Sequence, residues 1–178
     1  AVADVTGAVH NPAGLDPQAL SDHVATTGGV AGFVSGADVA TADLFALASE
    51  LFVPAALGGV ITAEVARRLK AKVVIEAANG PTVPDADPIL AERGIILLPD
   101  VLANAGGVVA SYFEWAQDRQ GYIWEEGVVS TRLHTTMTRA FDATYQRSES
   151  LKVSLRRAAV ALGLERVAEA TRLRGRVP

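Results

Sequence analysis

Cysteine is absent from the 178 residues, methionine occurs once and histidine three times. The missing thiols exclude a disulfide scaffold, a cysteine nucleophile and a zinc centre built on cysteine. His10, His23 and His134 have no ligating partner at helical spacing, so no metal site is expected. Aromatic residues are scarce, at 6%. Long uninterrupted apolar runs are missing too. The two most apolar stretches, 45–61 and 94–113, are broken by Glu50 and Pro54 and by Pro99, Asp100 and Asn104. Neither reads as a membrane span, and no basic-then-apolar opening marks an export signal. A cytoplasmic protein without membrane contact is the expectation. Residues 1–5 read as a buried strand with no lead-in and no initiating methionine, which fits an internal starting point of a longer polypeptide.

Hydrophobic residues make up 49% and charged residues 20%. That is the composition of a folded domain, not of a disordered chain. The formal charge is −4, yet residues 151–178 carry seven basic side chains against Glu165 and Glu169. A basic end can mark nucleic-acid binding. Without interleaved aromatics, and with an acidic remainder, an arginine-rich helix face meeting acidic neighbours is the better reading, and no nucleic-acid partner is expected.

Turn and cap signals divide the chain. Asp16-Pro17 is an N-cap followed by proline at the first helical position, and Gly28-Gly29 ends that helix. Residues 30–34 read as a short strand, 41–48 as a brief helix, and 51–53 as a strand broken by Pro54. Thr62 caps a helix with Ile61, Val65 and Leu69 on one face. Residues 72–77 (KVVIEA) form an apolar strand, 84–93 a helix closed by Gly94, and 95–98 a strand without alternation, expected to be buried on both faces. Strands alternating with helices at these spacings imply an α/β fold with a parallel sheet and helices on both faces. The last third differs. Val129, Leu133, Met137, Phe141 and Tyr145 recur every fourth residue on a long helix, and a second long helix spans 153–173. Trp115 and Trp124 are expected to be packing residues.

In an open parallel sheet, ligands bind beyond the carboxyl ends of the strands. Four such ends are distinctive: Asp4; Pro54-Ala55-Ala56; 78–82 (ANGPT); and 100–107 (DVLANAGG). Small residues there let a flat ligand approach the backbone. Asn79 and Asn104 each offer an amide with donors and an acceptor, as a carboxamide such as nicotinamide requires. Taken singly, Asn-Gly-Pro is a turn, and Asp100 and Asn104 are helix caps. Taken together at successive strand ends, they outline a ligand-binding edge.

The motifs PAALGGVIT (54–62), EAANGPTVPDAD (76–87), ILLPDVLANAGGVVASYFEW (96–115) and RVAEATRLRG (166–175) resemble the C-terminal half of bacterial and archaeal glutamate dehydrogenases, in the Glu/Leu/Phe/Val dehydrogenase family. The resemblance covers nearly the whole chain, and NAGGVxxSYFEW favours the glutamate branch. It implies an incomplete Rossmann-type NAD(P)-binding domain over 1–120, without the first strand, first helix and GxGxxG turn, followed by a helical segment over 121–178. It further implies that Asp4 lies near the adenosine ribose and that Ala55 and Ala56 line the cofactor crevice. Asn79 and Asn104 would surround the nicotinamide and its ribose, and Ser111 would bind the side-chain carboxylate of glutamate. The implied reaction is reversible oxidative deamination of glutamate to 2-oxoglutarate and ammonia with NAD or NADP. Asp4 leans toward NAD, because a carboxylate accepts from a 2′-hydroxyl and repels a 2′-phosphate. The family's catalytic lysine and aspartate lie in another domain, so no catalytic residue is assigned here and these residues alone are expected to be inactive. Gly58-Gly59 depart from the family's more polar pattern. Two alternatives stand beside this reading: a non-catalytic binding module, and a dehydrogenase for another amino acid. Val153, Leu162, Val167 and Leu173 are expected to form an unpartnered apolar stripe driving self-association through 151–178.

Overall fold

The computed structural model describes residues 1–175. Two three-stranded sheets organise it. In the first, β1 (Val2–Asp4), β2 (Gly7–His10) and β3 (Ala37–Val39) run antiparallel in the order β1-β2-β3. In the second, β4 (Ser49–Phe52), β5 (Ala71–Ile75) and β6 (Ile96–Leu98) run parallel in the order β4-β5-β6.

The first sheet departs from the sequence-based expectation. Val2–Asp4 turns directly into β2, with Asp4 opposite Gly7. The Asp4 carboxylate closes that turn, accepting from the Thr6 amide at 2.7 Å and the Thr6 hydroxyl at 2.6 Å. A local side-chain acceptor of this kind competes with a continuing strand. Residues 30–34 form turns, not a strand. They follow the helix α1 (Pro17–Thr27), which Asp16 caps through the amides of Gln18 and Ala19 and which Gly28 ends at φ 86°. Gly29 is buried against Thr6, and a β-carbon there would lie 2.2 Å from the threonine methyl. Val9, Leu20, Val30 and Phe33 form the small core under this sheet.

The parallel sheet carries the larger core, built from Ile61, Ala66, Leu69, Ala71, Val74, Ala86, Leu90 and Ile95. Helix α2 (Thr41–Leu44) is a single turn, shorter than expected. Helix α3 (Ala63–Arg68) is capped by the Thr62 hydroxyl, and α4 (Ala86–Glu92) is followed by Gly94 at φ 70°. β6 is paired only with β5 and so forms an edge of its sheet. Ile96 is 57% exposed although Ile95 is buried, so the face of β6 that Ile96 presents is left uncovered. The unalternating run marks one buried residue followed by an edge, not a strand covered on both faces.

Helices α5 (Asp100–Ala103) and α6 (Gly106–Gln120) follow β6. Gly121 at φ 63° stops α6, and the long α7 (Glu126–Leu151) and α8 (Leu155–Leu173) complete the chain. The every-fourth-residue stripe of α7 does not hold along its length. Val129, Leu133 and Met137 face inward, but Phe141 and Tyr145 are exposed and stack on each other at 6.2 Å. A spacing of four advances about 40° beyond one turn at each step, so the row winds out to solvent. Ala140 and buried Thr144 take its place. Trp124 packs on Phe113 and under the Arg132 guanidinium, 4.1 Å from its ring centre. Trp115, also expected to be a packing residue, meets Tyr112 but is 57% exposed. On α8, Val153 just before its start and Leu162 are half-buried, whereas Val160, Leu164, Val167 and Leu173 are exposed. Two of the four expected stripe residues are thus partly covered; Val160, Leu164 and Val167 share one exposed face of α8, and Leu173 lies off it. Arg176, counted in the basic end, lies outside the described residues. No helix among the described residues is long and apolar enough to cross a membrane.

Candidate functional site

The carboxyl end of the parallel sheet is built by pinning loops to one another. The Ala78 amide donates to the Pro54 carbonyl at 2.8 Å, joining the ends of β4 and β5. Gly59 and Ile61 donate to the carbonyls of Gly80 and Pro81, both at 2.8 Å, so the 58–61 segment runs beside the Asn-Gly-Pro turn. Gly58 approaches closely: a β-carbon there would sit 3.0 Å from the Asn79 carbonyl oxygen. This close approach gives the departure at Gly58 a physical reason.

These pinned loops and the start of α6 form a shallow, open hollow of about 560 Å³ lined by Ala56, Ala77, Ala78, Asn79, Asn104, Gly107, Val108 and Ser111. Four of the residues expected from sequence, Ala56, Asn79, Asn104 and Ser111, therefore meet at one place. The Asn104 amide nitrogen donates to Asn79 Oδ1 at 2.7 Å and to the Ala77 carbonyl at 3.4 Å. This leaves the Asn104 side-chain oxygen as an acceptor and the Asn79 side-chain nitrogen as a donor, neither bonded to protein among the described residues. An acceptor beside a donor, walled by alanine and glycine, complements a flat carboxamide. A second hollow of about 720 Å³ lies between α4, β6 and the α7–α8 turn; Leu90, Ile95 and Val153 make its walls largely aliphatic.

Asp4 and Ala55 do not line the Asn79–Asn104 hollow. Both Asp4 oxygens are engaged, the second accepting from the Val30 amide at 2.9 Å. The Thr6 hydroxyl, with the Thr6 and Val30 amides, holds its pKa below the ordinary aspartate value against an opposing effect of burial. A depressed folded-state pKa stabilises the fold above the unfolded value and is lost as pH falls through the folded one. Removing this group with Asp4→Asn should therefore flatten the acid limb of stability against pH below about 4. Urea midpoints of both proteins between neutral and acidic pH check this; identical acid limbs would refute it.

Sequence reasoning missed the charges behind the hollow. Glu76 is fully buried one residue beyond β5. Its Oε1 accepts from Arg156 Nη2 at 2.8 Å and its Oε2 from the Asp100 amide at 2.9 Å. Arg156 Nε also donates to Asp87 at 2.7 Å, and Nη1 to Asp100 at 3.4 Å. Burial opposes the arginine charge, but the Glu76 and Asp87 carboxylates outweigh it and hold its pKa above the ordinary arginine value. Of the basic residues expected to meet acidic neighbours, Arg156 does so; the Arg172–Glu169 pair lies within α8, and in the Arg147–Glu165 pair α8 supplies the glutamate. Nothing in the local sequence distinguishes Arg156 from its neighbour Arg157; only the fold does.

Comparison with known proteins agrees with this geometry. The model of the Glutamate/Leucine/Phenylalanine/Valine dehydrogenase family matches residues 1–175. The chain is 46% identical over 174 residues to the NAD-specific glutamate dehydrogenase of Staphylococcus aureus (strain COL), covering 98% of this chain and 42% of that protein. Among solved structures, the hetero-hexameric glutamate dehydrogenase of Thermus thermophilus is 37% identical with a TM-score of 0.89, over 97% of this chain and 40% of that one. The glutamate dehydrogenase of Peptoniphilus asaccharolyticus is 36% identical with a TM-score of 0.76, over 93% of this chain and 37% of that one. The chain thus spans about two-fifths of the length of these relatives. The L-tryptophan dehydrogenase of Nostoc punctiforme shares the fold at 24% identity and a TM-score of 0.63. A parallel sheet with small residues at its carboxyl edge, the Asn79–Asn104 pair and this match along the chain together place the protein in the Glu/Leu/Phe/Val dehydrogenase family.

Proposed function

We propose that this chain is the cofactor-binding part of an enzyme that oxidises L-glutamate to 2-oxoglutarate and ammonia, reversibly, with NAD. The observation that carries the reading is the Asn104–Asn79 bond at 2.7 Å, set in the alanine- and glycine-walled hollow. The nicotinamide cofactor, when bound, accepts hydride from the substrate Cα. Asn79 and Asn104 would hold the nicotinamide and its ribose. Ala56, Ala77 and Ala78 would let the ring approach the backbone. The Ser111 hydroxyl, at the rim of the same hollow, would donate to the glutamate side-chain carboxylate.

The lining contains no Lys, His, Asp, Glu or Cys. Proton transfer to and from the amine must therefore come from groups beyond it, and residues 1–178 by themselves are proposed to be inactive. NAD is preferred to NADP because the negative charge of Asp4, already anchored by three donors, would repel a 2′-phosphate. Exposed Val160, Leu164 and Val167, on one face of α8, supply the surface proposed for self-association.

The test is a fluorescence titration with NADH and NADPH, plus turnover of glutamate, leucine, valine, phenylalanine and tryptophan. It uses the protein at its natural length. Tighter NADH binding and preference for glutamate are expected. Binding of neither dinucleotide would favour a non-catalytic module, and turnover of another amino acid would replace the substrate.

A further inference from the structure

We infer that Arg156, on α8, is a positioning residue that orders the Asn79–Asn104 pair through Asp100; this rests on the cofactor reading given above. Asp100 is the junction. Its Oδ1 faces Arg156 Nη1 at 3.4 Å, and its Oδ2 accepts from the Gly80 amide at 2.8 Å. Its own amide donates to Glu76 at 2.9 Å, and its carbonyl accepts from the Asn104 amide at 3.0 Å. Gly80 adjoins Asn79, so both asparagine backbones stand next to a hydrogen bond made by Asp100.

The charge balance gives Arg156 its influence. Three carboxylates, Glu76, Asp87 and Asp100, meet one guanidinium. Without that cation, Glu76 and Asp100 repel across a region where Glu76 has no access to water. Asp100 is the more exposed of the two, and its Oδ1 otherwise accepts from the adjacent Val101 amide at 2.7 Å; it is therefore the carboxylate that shifts, and its shift loosens the bond to Gly80. A lysine cannot replace the planar fork, because one ammonium cannot span three carboxylates in these directions. Helix α8 has its own anchors in the Ser154 cap and fully buried Ala158, so it does not depend on Arg156 for its place.

The experiment compares Arg156→Met, Arg156→Lys, Asp100→Asn and the Arg156→Met/Asp100→Asn double variant in the protein at its natural length. Two readouts are needed: amide hydrogen exchange over residues 77–82, and the separate kcat and KM for the dinucleotide. In Arg156→Met, exchange at Gly80 should accelerate about tenfold or more relative to the α7 amides. The dinucleotide KM should rise about tenfold while kcat changes less than about threefold. The double variant should be no worse than the worse single one, because both act through one contact. Where the methionine variant fails to fold, Arg156→Lys is read in its place, with the same direction expected. Unchanged Gly80 exchange, or additive effects in the double variant, would overturn the inference. If the unmodified protein binds no dinucleotide, the cofactor reading falls, and exchange at Gly80 still decides whether Arg156 orders the turn.

Discussion

Replacing Glu76 with alanine is expected to lower the stability of the fold by about 3 kcal/mol, the lower end of the range for breaking a buried ion pair. Glu76 is fully buried, and its two oxygens serve different partners: the Arg156 guanidinium and the Asp100 amide. Alanine removes both acceptors and leaves a void beside a strand end. The loss stays at the lower end because Arg156 keeps Asp87 at 2.7 Å. Glu76→Gln retains acceptor capacity and loses only the charge, so about 1–2 kcal/mol is expected there. Urea unfolding of the two variants distinguishes these values. A change below about 1 kcal/mol for the alanine variant would mean that the buried charge is no net support.

Asn104→Ala is expected to reduce kcat/KM for the dinucleotide-dependent reaction about 100-fold, with a stability change near 1 kcal/mol. The small structural effect follows from its setting. Asn104 is half-buried and its side chain makes one short bond, to Asn79. The large kinetic effect follows from what that bond fixes. With the donor gone, the Asn79 amide is free to rotate, and both members of the acceptor–donor pair lose their direction. Asn104→Asp sharpens the test, because a carboxylate opposite Asn79 Oδ1 forces that amide to turn over. Steady-state kinetics with a dinucleotide titration measures both variants. A loss of less than about threefold would remove the pair from the binding machinery.

Much of the local structure was legible because caps and turns act over a few residues. Asp16-Pro17, Gly28, Thr62 and Gly94 each mark the helix boundary that the chain adopts. What failed depends on partners distant in sequence. β1 turns back at Thr6 because Asp4 binds its amide there, and Gly29 and Val30 then close on the turn. A linear reading sees only a strand followed by glycine. The edge position of β6 and the outward drift of Phe141 and Tyr145 are likewise set by neighbours and by helix pitch. The site divides the same way. Ala56 and Asn79 follow strands, Asn104 stands between α5 and α6, and Ser111 lies in the second turn of α6, so all four converge at the carboxyl edge of the sheet. Glu76 and Arg156 stayed hidden, since an isolated glutamate at a strand end and one arginine among many carry no mark of each other.

The separation of that pair bears on how the chain is made. Arg156 lies 80 residues after Glu76 and 56 after Asp100. At about 5–20 residues per second on the ribosome, Glu76 waits roughly 4–16 s for its cation. Throughout that interval, burying the end of β5 carries the cost of an unneutralised carboxylate. Docking of α8 is then the step that neutralises the sheet end and relieves that cost.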